Sequence, residues 1–141
     1  MSAVIVDASV ALKWFVEEEG SSDAADLIAA SNPRLAPDLI IPEVLNAAWK
    51  AFSRGFMVRE QYDSIPRLLP DLFQDIVPTK RLAPRAGALA WELNHPAYDC
   101  FYLALAEEQN LPLVTADRRL INRVVDTKFK ALVVKLVGQS G

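Results

Sequence analysis

The stretch from Tyr98 to Asp117, YDCFYLALAEEQNLPLVTAD, places one carboxylate at each end of a unit that reads as a helix followed by a strand. Residues 97–106 are almost all apolar or aromatic, which is typical of a helix buried on most of its faces, yet Asp99 lies near the start of this run. An unpaired carboxylate is strongly unfavourable in such surroundings, so we expect Asp99 to have a functional role. Asp117 follows a short apolar pattern, LPLVT, that predicts a core strand.

Two further acids lie at the ends of predicted elements. Asp7 ends the β-branched run AVIVD, just before a predicted helix over residues 9–16, and Glu43 lies in or near the first turn of a helix predicted within residues 38–55. Each has a simple structural explanation, because Asp7 and Ser9 are good helix N-caps and Glu43 is favourable near the positive end of a helix dipole. For Asp7 taken alone that explanation would prevail, and for Glu43 it is about as good as a functional one.

The four acids together predict a cation site. Ligands of a parallel α/β sheet bind beyond the carboxyl ends of the strands, where the strand order reverses. Two ionised carboxylates about 5 Å apart repel by about 3 kcal/mol at an effective dielectric constant near 20, so such a cluster takes up protons or binds a cation. Oxygen ligands without nearby histidine or cysteine favour Mg²⁺ or Mn²⁺, which generally serves phosphate chemistry. Ser9, Asn46 and Thr115 are then expected to orient carboxylates or water.

The remaining patterns predict the scaffold that holds these acids. Strands alternate with helices along the chain, which indicates a three-layer α/β/α sandwich around a central, mainly parallel sheet of about five strands. Besides the elements already named, helices are predicted over residues 21–30, 58–73, 82–94 and 118–126, and strands at RLAP (34–37), DIVPTKR (75–81) and KALVVKLVG (130–138). Pro66 and Pro70 predict that the helix over residues 58–73 is bent or split.

Composition places the chain among globular domains. With 141 residues, 52% of them hydrophobic, it is expected to form one domain spanning residues 1–141. The single cysteine, Cys100, lies in the apolar helix, so we expect a core residue, no disulfide and a reducing cytoplasm. The apolar run over residues 3–16 contains Asp7 and Lys13 and has no basic leader, which predicts neither a signal peptide nor a membrane span.

Charge and histidine content add little. Residues 118–141 carry six basic residues and one acidic residue, which permits phosphate binding, although a solvated surface explains this segment equally simply. His95 is the only histidine, so neither a zinc site nor a catalytic triad is expected, and we predict a loop or surface position for it.

At this point the chain resembles a known family. VIVDAS, PEVLNAAW, YDCFYLALA and LVTADRRL look like the four acidic blocks of the PIN domain, and their order and spacing resemble the VapC-type toxins of bacteria and archaea over nearly the whole chain. The resemblance implies a Mg²⁺-dependent ribonuclease that cuts single-stranded or loop RNA, acts as a dimer and is held inactive by a small VapB-type antitoxin. One departure from the family is Pro42, immediately before Glu43, where many relatives keep an uninterrupted helix.

Residue roles follow from the resemblance position by position. The acidic residues of the family match Asp7, Glu43, Asp99 and Asp117, and its polar companions match Ser9, Asn46 and Thr115. Asp7 and Asp99 are the first choice as direct metal ligands, while Glu43 and Asp117 act directly, through water or on a second ion. Arg118 and Arg119 follow the site immediately and are either contacts to RNA phosphates or ordinary helix-surface arginines.

Other protein classes fit less well. A phosphatase of the haloacid-dehalogenase type needs a second aspartate two residues after the first, where this chain has Ser9. A receiver domain needs a lysine just after its last strand, whereas Lys135 lies within the predicted strand. A non-catalytic interaction module, and a PIN-domain RNA-processing nuclease without an antitoxin, remain open alternatives.

Aromatic residues on two early helices predict a partner surface. Trp14, Phe15, Trp49, Phe52 and Phe56 are more aromatic bulk than two helix stripes of a small domain usually need, although core packing explains most of it. We expect part of this surface to accept an amphipathic antitoxin helix, with a basic side chain of the antitoxin reaching the acidic pocket.

Overall fold

Short β-branched runs separated by helical stretches fold into a parallel sheet that helices cover on both faces. The structure is a computed structural model, and it describes residues 2–136. The strands are β1 (Val4–Val6), β2 (Arg34–Pro37), β3 (Asp75–Val77), β4 (Leu113–Thr115) and β5 (Val133–Lys135). The helices are α1 (Ala8–Ala11), α2 (Ser21–Ala29), α3 (Ile40–Ser53), α4 (Arg59–Leu68), α5 (Thr79–Leu93), α6 (Ala97–Gln109) and α7 (Arg118–Val124).

The strand order places two of the four acids side by side. The strand order is β3-β2-β1-β4-β5, and every neighbouring pair is parallel. Strands β2 and β3 therefore lie on one side of β1, and β4 and β5 lie on the other. Ile5 pairs with Leu35 on one flank and with Leu113 on the other. The order therefore reverses between β1 and β4, and the carboxyl ends of these two strands lead to Asp7 and Asp117. The predicted three-layer α/β/α sandwich with a five-stranded parallel sheet is confirmed.

Pro42 lies in α3 without disrupting it. The helix begins at Ile40, so neither Pro37 nor Pro42 opens it, and Pro42 is its third residue. The first helical N–H groups have no intrahelical partner, so the missing N–H of a proline is tolerated there. The next residue, Glu43, donates its backbone N–H to the carbonyl of Leu39 at 3.1 Å, and the helix continues regularly. Pro42 therefore leaves Glu43 in the first turn of a regular helix.

The helix α6 is buried as its composition predicts. Residues 100 and 102–106 are buried, and Asn110 ends the helix in the left-handed region with φ 53°. The neighbouring helix α5 begins at Thr79, three residues earlier than predicted. It is capped at its C-terminal end by Asn94, which has the same left-handed conformation as Asn110. Two ion pairs join these helices, Arg81 with Glu108 at 2.9 Å and Arg85 with Glu107 at 2.6 Å.

Other predicted elements are confirmed with adjusted ends. The helix predicted over residues 58–73 is split into α4 and a 3₁₀ turn over Pro70–Leu72, with Pro66 inside α4. The helix predicted over residues 9–16 is α1 followed by a 3₁₀ turn over Leu12–Trp14. The predicted last strand forms over Val133–Lys135, while residues 137–138 lie outside the described part. Among the helices within residues 2–136, none has the length and apolarity that a membrane span requires.

Candidate active site

Asp7 is the most constrained of the four acids. It is 5% exposed and forms the N-cap of α1, where its Oδ1 accepts the backbone N–H of Val10 at 3.3 Å. Ser9 also donates to Oδ1, at 2.6 Å, and Thr115 on β4 donates its hydroxyl to Oδ2. The Ser9 hydroxyl in turn accepts the backbone N–H of Ala116 at 3.0 Å. Asp7 therefore both caps α1 and contributes to the candidate site, and the hydroxyls of Thr115 on β4 and Ser9 on α1 fix the orientation of its carboxylate.

The hydrogen bonds of Asp7 leave one direction open. Each carboxylate oxygen has two lone pairs, and both lone pairs of Oδ1 are occupied by Ser9 and Val10. Among residues 2–136, Oδ2 accepts a hydrogen bond from Thr115 alone, which leaves one of its lone pairs for a cation.

Asp99 lies in the first turn of α6 and is paired with His95. Nε2 of the imidazole is 2.6 Å from Oδ2 of Asp99, one helical turn away in sequence. His95 follows α5 in a loop, which is one of the two positions predicted for it, and only 8% of it is exposed. The reason is the carboxylate, because a buried imidazole is tolerated when it is hydrogen-bonded.

Glu43 is held by a tyrosine of α6. The hydroxyl of Tyr102 donates to Oε1 of Glu43 at 2.6 Å. Tyr102 is 1% exposed, and burial together with the Glu43 charge raises the pKa of its hydroxyl, so Tyr102 stays a neutral donor. This contact ties α3 to α6 and directs Glu43 toward the head of α6.

Asp117 precedes α7 and caps it. Its Oδ1 accepts the backbone N–H of Arg119 at 2.9 Å, and its own backbone N–H donates to the hydroxyl of Thr115 at 3.0 Å. Thr115 therefore contacts both Asp7 and Asp117 and holds the two acids on one side of the strand end. Arg118 and Arg119 are both exposed on the first turn of α7.

The pKa shifts of the acids have the charge of Asp99 in common. Burial raises the pKa of Asp7 to about 7, against the lowering effect of its hydroxyl donors, and the charge of Asp99 raises it further. Burial and the charge of Asp99 likewise raise the pKa of Glu43. Burial raises the pKa of Asp99 itself, His95 opposes this, and the charge of Asp117 adds to it. Each of the other three acids is therefore coupled to Asp99.

The arrangement of the acids suits a Mg²⁺ ion that keeps several waters better than an ion enclosed entirely by protein ligands. Within residues 2–136, no group of three or more histidine, cysteine, aspartate or glutamate side chains is placed to enclose a metal ion. Mg²⁺ is usually bound by one or two carboxylates and keeps several waters, so acids that meet in pairs around Asp99 suit it. The one histidine nearby already binds Asp99, which leaves oxygen donors only and disfavours zinc.

Asn46 lines a cavity rather than contacting an acid. It lies one turn after Glu43 on α3, and both border a cavity of about 430 Å³ that also includes Ser9 and Lys50. Glu43, Asn46 and Lys50 therefore share one face of α3. In the described part of the chain, Asn46 makes no hydrogen bond to an acidic side chain.

Cys100, adjacent to Asp99, takes no part in chemistry as a nucleophile. It is fully buried, and burial together with the charge of Asp99 raises the pKa of its thiol to about 11. The thiolate is therefore scarce at neutral pH, and the prediction of a core residue is confirmed.

Two residues of this site were not identified from the sequence, His95 and Tyr102. His95 lies four residues before Asp99, a spacing that brings side chains together when a helix covers both positions. It precedes α6 rather than lying in it, so the spacing alone was not decisive. Tyr102 carried no signal, because an aromatic residue inside an apolar helix is more often a core residue.

The raised pKa of Asp7 predicts that the metal-free protein loses stability as pH rises. Between pH 4 and pH 7 the folded state keeps a proton that the unfolded state has released, so the free energy of unfolding falls with pH, by at most about 1.4 kcal/mol per pH unit for this group. The fall should level off above pH 7. Urea unfolding in EDTA at a series of pH values measures it.

Asp7→Asn should flatten this pH profile, whereas Asp71→Asn, on an exposed turn away from the site, should keep it. An unchanged slope in Asp7→Asn would show that Asp7 does not carry the titration.

Sequence comparison matches the chain to a known domain. The PIN domain family model matches residues 4–126. The chain is 31% identical over 132 residues to Ribonuclease VapC3 of Pyrobaculum aerophilum, covering 92% of this chain and 97% of that protein. It is 29% identical over 122 residues to Ribonuclease VapC1 of Mycobacterium tuberculosis, covering 85% of this chain and 90% of that protein.

Solved structures share the fold. A toxin–antitoxin complex from Klebsiella pneumoniae contains a chain that superposes with a TM-score of 0.67 at 20% identity, covering 93% of this chain and 95% of that one. A crystal structure of a Pyrobaculum aerophilum protein, PAE2754, gives a TM-score of 0.63 at 24% identity, covering 96% of this chain and 84% of that one.

Proposed function

The chain belongs to the PIN domain family, and from that membership we propose that it is a Mg²⁺-dependent endoribonuclease, the toxin of a toxin–antitoxin pair. The observation that carries the proposal is the charge coupling of Asp7, Glu43 and Asp117 to Asp99, although the four residues are distant in sequence. VapC ribonucleases among the relatives support RNA as the substrate and an antitoxin as the partner. Mn²⁺ is the alternative ion, because it accepts the same oxygen donors.

Each acidic side chain of this site would contribute a different oxygen ligand to the cation. Asp7 offers the free lone pair of Oδ2, and Asp99 offers the oxygen that does not contact His95. Glu43 and Asp117 act directly or through water, and Tyr102 keeps Glu43 directed at the site. A bound Mg²⁺ supplies positive charge that acidifies water and neutralises charge developing on a phosphodiester.

Neighbouring polar groups keep the acids in place while RNA binds. Ser9 and Thr115 fix Asp7 from two elements, and His95 fixes Asp99 from the end of α5. Preorganisation of this kind avoids reorientation of the carboxylates during the reaction. No side chain is required to form a covalent bond with RNA in this proposal.

A groove between α1 and α3 is the proposed antitoxin site. It consists of two cavities of about 430 and 490 Å³ that share Leu12, Ala47 and Lys50. One end reaches Glu43 and Ser9, and the other reaches Phe56, which is 69% exposed. A VapB-type antitoxin helix lying in this α1–α3 groove would bury Phe56 and bring a basic side chain to Glu43.

The aromatic residues predicted for this surface divide into two groups. Trp14 and Phe15 are half-buried and pack against the core, and the ring of Trp14 lies 5.6 Å from that of Phe73. Trp49 and Phe52 are exposed together with Phe56. Of the apolar stripe predicted for this helix, Ala48 is buried as expected, whereas the three aromatic residues are exposed and Ile40 and Val44 are buried instead. This division leaves large apolar groups available for a partner.

The remaining features of the proposal rest on family resemblance. We propose a homodimer in the cytoplasm, with residues 1–141 acting as one nuclease domain. Analytical ultracentrifugation of the free protein tests the dimer.

Expression in a bacterial host tests the function. Wild-type protein should arrest growth and degrade RNA, whereas Asp7→Asn should do neither, because it removes a charge from the cation site. Growth curves and electrophoresis of total RNA measure the two effects. Asp71→Asn removes the same charge from an exposed turn and should remain toxic. Equal growth and intact RNA with wild type and Asp7→Asn would contradict the toxin assignment.

A further inference from the structure

A polar cavity of about 400 Å³ opens at the junction of α5, α6 and α7. Its lining consists of Asn94, His95, Pro96, Arg119, Asn122 and Arg123, and it is here called the basic pocket. None of these six residues is acidic. The pocket is therefore electropositive in a protein whose net charge is −3.

Two residues of the basic pocket also bind acids of the proposed cation site. His95 contacts Asp99 at 2.6 Å, and the backbone N–H of Arg119 donates to Asp117 at 2.9 Å. The basic pocket therefore lies directly beside the acidic cluster. A sugar–phosphate backbone that enters one of them passes next to the other.

Ion pairing divides the surface arginines into two groups, and within residues 2–136 the arginines of the basic pocket belong to the unpaired group, together with Arg54 and Arg67. Arg59, Arg81 and Arg85 each form an ion pair with a neighbouring carboxylate. Among the ion pairs within residues 2–136, none involves Arg119 or Arg123, although both are exposed and one turn apart on α7. Two like charges at this spacing repel slightly, so folding alone gives no reason to place them together.

We propose that the basic pocket binds a backbone phosphate of the RNA substrate, next to the phosphate that is hydrolysed. This inference rests on the proposed ribonuclease function and adds to it a way of holding the strand. Arg119 and Arg123 supply charged donors to the phosphate oxygens, and the amides of Asn94 and Asn122 supply neutral ones. Such contacts set the position of the strand without reading its sequence.

RNA affinity in the absence of cleavage tests the pocket. The probe is a labelled single-stranded RNA, titrated with the full-length protein in EDTA and followed by fluorescence anisotropy at several salt concentrations. Arg123→Gln should weaken binding by about tenfold, and the slope of log K against log salt should fall by about 0.7, the value for one phosphate contact on a single strand. Arg123→Lys should keep most of the slope, because it keeps the charge.

Two controls separate the pocket from general charge effects. Arg67→Gln removes an exposed arginine from α4, outside the pocket, and should leave both affinity and slope unchanged. Asn122→Ala should weaken binding with no change in slope, because it removes a neutral donor. Thermal unfolding confirms that each variant is folded, as expected for exposed side chains.

The outcomes distinguish this inference from the proposed function. If Arg123→Gln and Arg67→Gln behave alike, the basic pocket does not hold a phosphate, yet loss of cleavage in Asp7→Asn would still support the nuclease. If Arg123→Gln keeps full RNA affinity but weakens antitoxin binding, the occupant is an acidic peptide segment and the inference is overturned. If wild-type protein neither binds nor cuts RNA, both proposals fail.

Discussion

Asp99→Asn is expected to lower RNA cleavage by about a thousandfold or more while leaving the domain folded, a loss of about 4 kcal/mol in transition-state stabilisation. The reason is the central place of Asp99, since the pKa values of Asp7 and Glu43 both respond to its charge. An amide at this position binds Mg²⁺ far more weakly than a carboxylate does. Cleavage of a labelled RNA at saturating Mg²⁺ measures the effect.

The fold should survive this substitution because the contact with His95 is kept. Asparagine has the same shape as aspartate, and its carbonyl oxygen still accepts a hydrogen bond from Nε2 of His95. The substitution also removes a charge that repels the other acids. Without metal, its melting temperature should therefore equal or exceed that of the wild type. Asp99→Ala leaves the imidazole without its partner and should be less stable than either.

Metal linkage provides a second measurement on the same variant. A ligand that binds only the folded state stabilises it by about 2.7 kcal/mol at a concentration one hundred times its Kd. Mg²⁺ or Mn²⁺ should raise the melting temperature of the wild type and of Asp71→Asn alike, and that of Asp99→Asn much less. An equal rise in Asp99→Asn would remove the cation site from the proposal, and an unfolded Asp99→Asn would make Asp99 a structural residue.

Phe56→Ala is expected to weaken antitoxin binding by about thirtyfold, or about 2 kcal/mol, which is typical of an aromatic side chain that contributes strongly to an interface. Phe56 lines the α1–α3 groove and is 69% exposed, so it contributes little to the core. Cleavage by the free protein should remain at the wild-type level. Binding is measured by calorimetry with the purified antitoxin, and cleavage with a labelled RNA.

Trp91→Ala is the matched control for the groove. Trp91 is 90% exposed on α5, outside the cavities that form the groove, so its loss should leave antitoxin affinity unchanged. If Phe56→Ala unfolds the protein, Phe56 belongs to the core and the antitoxin site lies elsewhere. If it folds and binds the antitoxin as tightly as Trp91→Ala does, the groove is not the interface.

The acids were identifiable from sequence because each interrupts a strong local pattern. Asp99 lies in an apolar helix and Asp7 follows a β-branched strand, and both positions were clear without coordinates. The approach of Asp7 and Asp117 was also expected, since parallel strands align their carboxyl ends, and the strand order places β1 beside β4. Sequence periodicity was thus sufficient to identify an acid wherever the pattern that it interrupts belongs to its own helix or to the strand next to it.

Partners contributed by other elements were not identifiable in this way. The contact between Tyr102 and Glu43 joins residues 59 apart in sequence, and nothing in the pattern of α6 or α3 specifies how the two helices are rotated. The same limit explains α3, whose apolar residues cover more than one face, so that spacing alone did not decide between the aliphatic and aromatic stripes. The burial of His95 in its loop was not predictable for the same reason, because it depends on the Asp99 carboxylate beyond the loop and not on the loop sequence.

The position of β1 in the middle of the sheet also sets the order in which the protein acquires its properties during synthesis. The bond between Thr115 and Asp7 spans 108 residues, and the second flank of β1 stays open until residues 113–115 have been made. Chains grow and fold from the N-terminus, and contacts of high sequence separation form late. A ribosome-bound chain therefore lacks the contact that fixes Asp7 until β4 has been made, so that the proposed cation site is incomplete for as long as the chain is still growing.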